Sequence, residues 1–147
     1  MKRFASIGLT IALLAAVACT STMAQQATGQ QTTAPQTSPP PNYKKVSTLV
    51  PLPDFVPGLG TLYVDPSTLP AGPFLAYDRQ GHLVSSVYMI PIKDITAHKA
   101  FNDLAAAKEQ VDHVDMYYNA GHPGVAEPHY HIVVWYISPQ QAAALKQ

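Results

Sequence analysis

The chain has 147 residues, enough for one domain and too few for a two-domain enzyme. Nine Lys and Arg balance nine Asp and Glu, so the formal net charge is zero and no basic excess exists to bind a nucleic-acid backbone. Only 12% of residues are charged and 47% are hydrophobic, which fits a folded domain better than a disordered polyelectrolyte.

Met1-Lys2-Arg3 is a short basic start, and Phe4 to Ala18 is almost wholly apolar or small. This is the basic region and apolar region of an export signal, and the run is shorter than the about 20 residues of a membrane span. Two cleavage sites compete. Thr22-Met23-Ala24 before Gln25 suits a general signal peptidase, giving a signal peptide over 1–24. Ala16-Val17-Ala18-Cys19 resembles a bacterial lipobox with Ala16 in place of the usual Leu, Val or Ile, giving a signal over 1–18 and a lipidated Cys19. A retained N-terminal anchor is the remaining alternative. The expected address is the periplasm or cell envelope, with a lipid at Cys19 as the route to a membrane. Cleavage removes Lys2 and Arg3, leaving seven basic against nine acidic residues, a net charge of −2. Cys19 is the single cysteine, so the folded part has no disulfide, thiolate ligand or thiol nucleophile.

Residues 25–42 are Gln, Thr, Ser and Pro with hardly any large apolar side chain, and read as a solvated tether. From Tyr43 to Pro57 apolar residues appear, but Pro51, Pro53 and Pro57 remove ladder donors, so an extended lead-in lying along the domain is expected over the end of 25–57. The domain is expected over 58–147. Strands are predicted over 60–65, 73–77 and 82–90, the last two joined by the turn Asp78-Arg-Gln-Gly81. Lys93 to Gln110 lacks Gly and Pro and contains Phe101, Leu104 and Ala105 to Ala107, which predicts the main helix, starting near Thr96 or Lys99. Strands over 111–118 and 129–137 flank the Gly- and Pro-bearing loop Asn119 to Pro128. Ser138-Pro139 then starts a short C-terminal helix, Ser as N-cap and Pro at the first helical position. The predicted class is α+β: a mostly antiparallel sheet with one main helix and a short C-terminal helix.

Four of the six histidines lie between 113 and 131. Alternation along a strand sends His129 and His131 to one side and Tyr130, Ile132, Val134 and Tyr136 to the other, where they form an apolar face expected to meet the core. The preceding strand divides likewise, with His113, Asp115 and Tyr117 opposite Val114, Met116 and Tyr118. Paired as a hairpin, the two strands bring His113, Asp115, His129 and His131 to one side of the sheet. Three imidazoles and a carboxylate suit zinc or copper, with Asp115 as a ligand or as the group that orients one. His122, in the loop, is able to swing in, and Glu127 is a candidate extra ligand or general base. The competing structural reading is a hydrogen-bonded polar cluster on a wet face, or a pocket without metal. Val133, Trp135 and Ile137 extend the same face with apolar side chains, so it is half buried or meets a partner.

The run Gly124 to His131 resembles the first cupin motif, but no Glu follows the His-x-His pair and only sixteen residues remain after His131. The layout Gly58-Leu-Gly60-Thr, a hairpin at Gly81 and Pro128-His129-Tyr130-His131 is similar to that of small exported bacterial proteins of unknown function with a C-terminal Pro-His-aromatic-(Asp or His) strand. That resemblance covers about residues 58–137 and implies no activity. The function expected is metal binding or sequestration by an exported domain, since no base–nucleophile pair is visible. A metal-free envelope interaction domain, homo-oligomeric or bound to an envelope protein through the surroundings of Trp135, is the alternative. A metal-dependent hydrolase with Glu127 as base is the third.

Overall fold

The structure, a computed structural model, describes residues 36–147. The expected signal peptide, the lipidation candidate Cys19 and the first part of the tether lie outside the described residues. Among the described residues no helix is long and apolar enough to cross a membrane.

Six strands form one antiparallel sheet: β1 (Lys44–Lys45), β2 (Thr61–Val64), β3 (Phe74–Tyr77), β4 (Leu83–Pro91), β5 (His113–Asn119) and β6 (His129–Trp135). The spatial order is β1-β2-β3-β4-β6-β5, so β4 is central and β5 is an outer edge. All nine residues of β4 are buried. The β3–β4 turn follows its sequence chemistry. The Asp78 carboxylate accepts from the backbone N–H of Gln80 and His82 at 2.9 and 2.8 Å, and Gly81 takes φ 84°.

Two α-helices, α1 (Ile92–Thr96) and α2 (Pro139–Ala144), and two short 3-10 turns, Val46–Thr48 and Pro66–Thr68, complete the described residues. Ser138 caps α2 in a reciprocal box with Gln141. The α+β class with one main helix is therefore corrected: the fold is a single sheet with two short helices. The main helix predicted to start near Thr96 or Lys99 does not form: α1 ends at Thr96, and His98 and Asp103 sit at φ 55° and 53°, outside helical space. The cause lies in the sequence. Asn102-Asp103 offers the backbone local hydrogen-bonding alternatives to a helix. The alanines 105–107 follow Leu104 as a continuous run, with no 3.6-residue stripe to bury. The segment instead runs irregularly across the sheet, held where the Tyr88 hydroxyl donates to the Ala105 carbonyl at 2.6 Å.

The sheet is covered on both faces. On one, Leu75, Tyr77 and Leu83 pack with Tyr43, Tyr63, Ala107 and Tyr136. On the other lies the larger core, Val64, Phe74, Ala76, Val87, Met89, Val133 and Trp135, roofed by Val46, Val50, Leu52, Phe55 and Leu59 and closed by Leu145 beyond α2. Burial of side chains of this size contributes about 1.5–3 kcal/mol each. The lead-in is thus an integral layer of the domain. Its contacts reach back to Gln36, whose carbonyl accepts from the Leu83 N–H at 3.0 Å and whose side chain donates to the Tyr77 hydroxyl at 3.1 Å.

The buried face of β6 also differs from expectation. Its odd positions, His129, His131, Val133 and Trp135, are the buried ones, while Tyr130, Ile132 and Val134 are half-buried. Both faces of β6 are apolar enough to be core. The choice falls to the roof supplied by residues 46–59, which brings its apolar side chains to the odd face.

Candidate metal centre

The β5–β6 register pairs Asn119 with His129, Tyr117 with His131, Asp115 with Val133 and His113 with Trp135. All these side chains share one face, but His113 lies across from a residue six positions beyond His129, roughly 20 Å along the strand at ~3.3 Å per residue. The hairpin therefore separates the four predicted site residues into two groups.

At the loop end, His129 and His131 meet His122. One candidate ligand atom from each lies within 4.8 Å of those of the other two. The Nε2 atoms of His129 and His131 are 2.9 Å apart. Ring centroids are separated by 4.8 Å for that pair, 5.0 Å for His122–His129 and 5.6 Å for His122–His131. A tetrahedral zinc ion with ~2.05 Å Zn–N bonds needs N–N separations of about 3.3 Å, so modest rotations of these rings would seat an ion.

Each ring is held from behind through Nδ1. His129 Nδ1 donates to the Glu127 carbonyl at 2.6 Å, and His122 Nδ1 donates to the Pro123 carbonyl at 3.0 Å. The Tyr117 hydroxyl lies 3.1 Å from His131 Nδ1. These partners fix the tautomer that keeps the proton of His122 and His129 on Nδ1 and their lone pairs on Nε2, the arrangement found behind metal-ligating histidines. The network closes on itself: Tyr117 donates to His131 Nδ1, and His131 Nε2–H donates to His129 Nε2. To hold a metal through Nε2, His131 would carry its proton on Nδ1, with the Tyr117 oxygen accepting that hydrogen bond. Burial, then the neighbouring His129 and His122, push the His131 pKa down to about 4, so this ring is neutral and ligand-competent at neutral pH.

The local sequence accounts for the placement of His122. It is bridged to Val125 by reciprocal backbone bonds of 2.9 Å around Pro123-Gly124. Pro at the second and Gly at the third turn position, the latter at φ 88°, are the residues a type II turn demands. Val125 packs on the main core and anchors the loop. At Gly121, φ 123°, a Cβ would lie 2.6 Å from the Ala126 carbonyl oxygen, so only glycine brings the chain into this loop.

At the open end the polar groups satisfy one another. His113 Nδ1 donates to Asp112 at 2.8 Å and its ring stacks on Trp135 at 5.9 Å. Trp135 Nε1 donates to the Asp115 carboxylate at 2.9 Å. The Glu127 carboxylate pairs with Lys93 Nζ at 2.6 Å, so its contribution to the cluster is its backbone carbonyl.

Strand alternation places His129 and His131 on one face and leaves His122 within reach, but it favours His113 and Asp115 over His122. The signal for His122 is the loop itself: a hairpin closed by Asn119 to Pro128 sets the residues nearest that loop, not His113, beside His129.

No protein-family model matches the chain, and no curated protein matches it. Among solved structures, the chain is similar to the crystal structure of the hypothetical protein TTHB210 from Thermus thermophilus. The two are 50% identical over 65% of this chain and 88% of that one, with a TM-score of 0.58. The chain belongs to the same family as this Thermus protein.

Proposed function

We propose that this protein is an exported small domain that binds a transition metal, zinc or copper, through His122, His129 and His131. The observation that carries this reading is the convergence of three imidazoles whose Nδ1 atoms are all engaged by oxygen on the far side. His129 is fully buried and His131 is 6% exposed, which favours a site shielded from water. Imidazole nitrogens suit zinc and copper among the common ions. The export reading is supported by the basic start and apolar run of residues 1–18. The test is metal analysis and calorimetry on protein prepared without a His tag. One equivalent of zinc or copper is expected, lost in a His129→Ala/His131→Ala variant that keeps its sheet; absence of binding by the unaltered protein refutes the reading.

A second reading concerns β5. Val114, Met116 and Tyr118 are 56%, 59% and 54% exposed on an edge strand. An apolar stripe beside unpaired backbone groups suits contact with another protein, a second copy or an envelope partner. Light scattering tests it: Met116→Lys is expected to dissociate an assembly that the unaltered protein forms.

A further inference from the structure

The His cluster opens onto a cavity of about 350 Å³ between the sheet and its roof. The walls are apolar, among them Val46, Val50, Leu59, Leu62, Phe74 and Met89. The polar side chains on its surface are Tyr117, Asn119, His122 and His131, which the hairpin register and the turn at Pro123 hold together. His129 stands behind them. Among the described residues no Lys, Arg, Asp or Glu lines the cavity.

This composition constrains the occupant. A divalent ion on three neutral imidazoles carries a charge that a low-dielectric site leaves uncompensated. Among the described residues none supplies an anion at the site: Asp115 is bound to Trp135 and Glu127 to Lys93. Three ligands leave a fourth coordination position for an outside donor. The remaining walls reward apolar surface alone.

We propose that the cavity binds a small amphiphile, a medium-chain monocarboxylate, with its carboxylate on the metal and its alkyl chain along the apolar walls. This rests on the metal reading above. At roughly 30 Å³ per water-sized unit the cavity holds about a dozen such units, the size of an alkyl chain of about eight to ten carbons. Because no lysine or arginine among the described residues lines the cavity, the prediction is sharp: the metal is the counter-charge for the anionic head.

The experiment first measures zinc binding by calorimetry, then titrates decanoate into zinc-loaded and metal-free protein. Decanoate is expected to bind the zinc form at least tenfold more tightly, with affinity rising about fourfold per methylene from hexanoate to decanoate. Leu62→Phe, which narrows the cavity away from the imidazoles, is expected to weaken decanoate at least tenfold and leave zinc affinity unchanged. If Leu62→Phe fails to fold, Leu49→Trp, on the cavity wall at a position 46% exposed, makes the same test. Zinc binding with no decanoate binding, with equal decanoate affinity in the two forms, or with decanoate affinity unmoved by the cavity variant overturns this inference alone. If copper binds in place of zinc, the same titrations are made on the copper-loaded protein; failure to bind either metal overturns the inference together with the metal reading.

Discussion

The two ends of the β5–β6 hairpin are built from the same strands, on the same face, with similar residue types. They differ in what their polar atoms do. At the open end each group has a partner: Asp112 holds His113, and Asp115 takes the Trp135 N–H. At the loop end three imidazoles use their Nδ1 atoms outward and turn their other nitrogens toward one another in a water-poor pocket. Proximity of histidine and aspartate is common to both. The proposed metal site is set apart by ring nitrogens that face a common centre and are held there from behind.

Breaking the loop end has the largest expected effect. His122→Ala and the His129→Ala/His131→Ala pair are each expected to lower metal affinity by more than the roughly 10–100-fold lost with an outer-shell partner, since a proposed ligand is removed outright, while His113→Ala/Asp115→Ala is expected to leave it within about twofold by calorimetry. A large loss in the second variant would reverse the assignment of the two ends.

The pH dependence of the metal-free protein comes next. The His131 pKa is about 4 in the folded state, and the unfolded chain titrates near 6.5. Between these values the unfolded state binds the extra proton, so stability rises with pH over that window and falls as the solution is acidified through it. The full window corresponds to roughly 3 kcal/mol. Urea midpoints between pH 4 and 7 read the slope, which His131→Gln is expected to flatten.

Smaller changes sharpen the contrast. Tyr117→Phe removes the oxygen behind His131 and is expected to lower metal affinity about tenfold with the fold unchanged. Asp115→Ala leaves the Trp135 N–H without its partner and is expected to cost about 1 kcal/mol of stability, with metal affinity unaltered. The two variants thus move opposite observables.

Much of this geometry is legible in the sequence. Alternation alone puts His129 and His131 together, and Pro123-Gly124 announces the turn that presents His122. Strand limits follow from Gly60, Pro66, Gly81 and Pro91. Two features depend on partners that alternation does not encode. Which face of β6 is buried is decided by the lead-in, whose prolines permit it to roof the sheet without joining it as a central strand. The segment after Thr96 has helix-forming residues but no stripe to dock, and Asn102-Asp103 in its middle, so sheet coverage by an irregular chain prevails.

The central claim is that His122, His129 and His131 form one metal centre. X-ray absorption at the metal edge of stoichiometrically loaded, untagged protein tests it most directly. Three imidazole ligands near 2.0–2.1 Å, falling to two in His122→Ala, are the expected result. A loaded protein whose spectrum is unchanged by His122→Ala but altered by His113→Ala would contradict it.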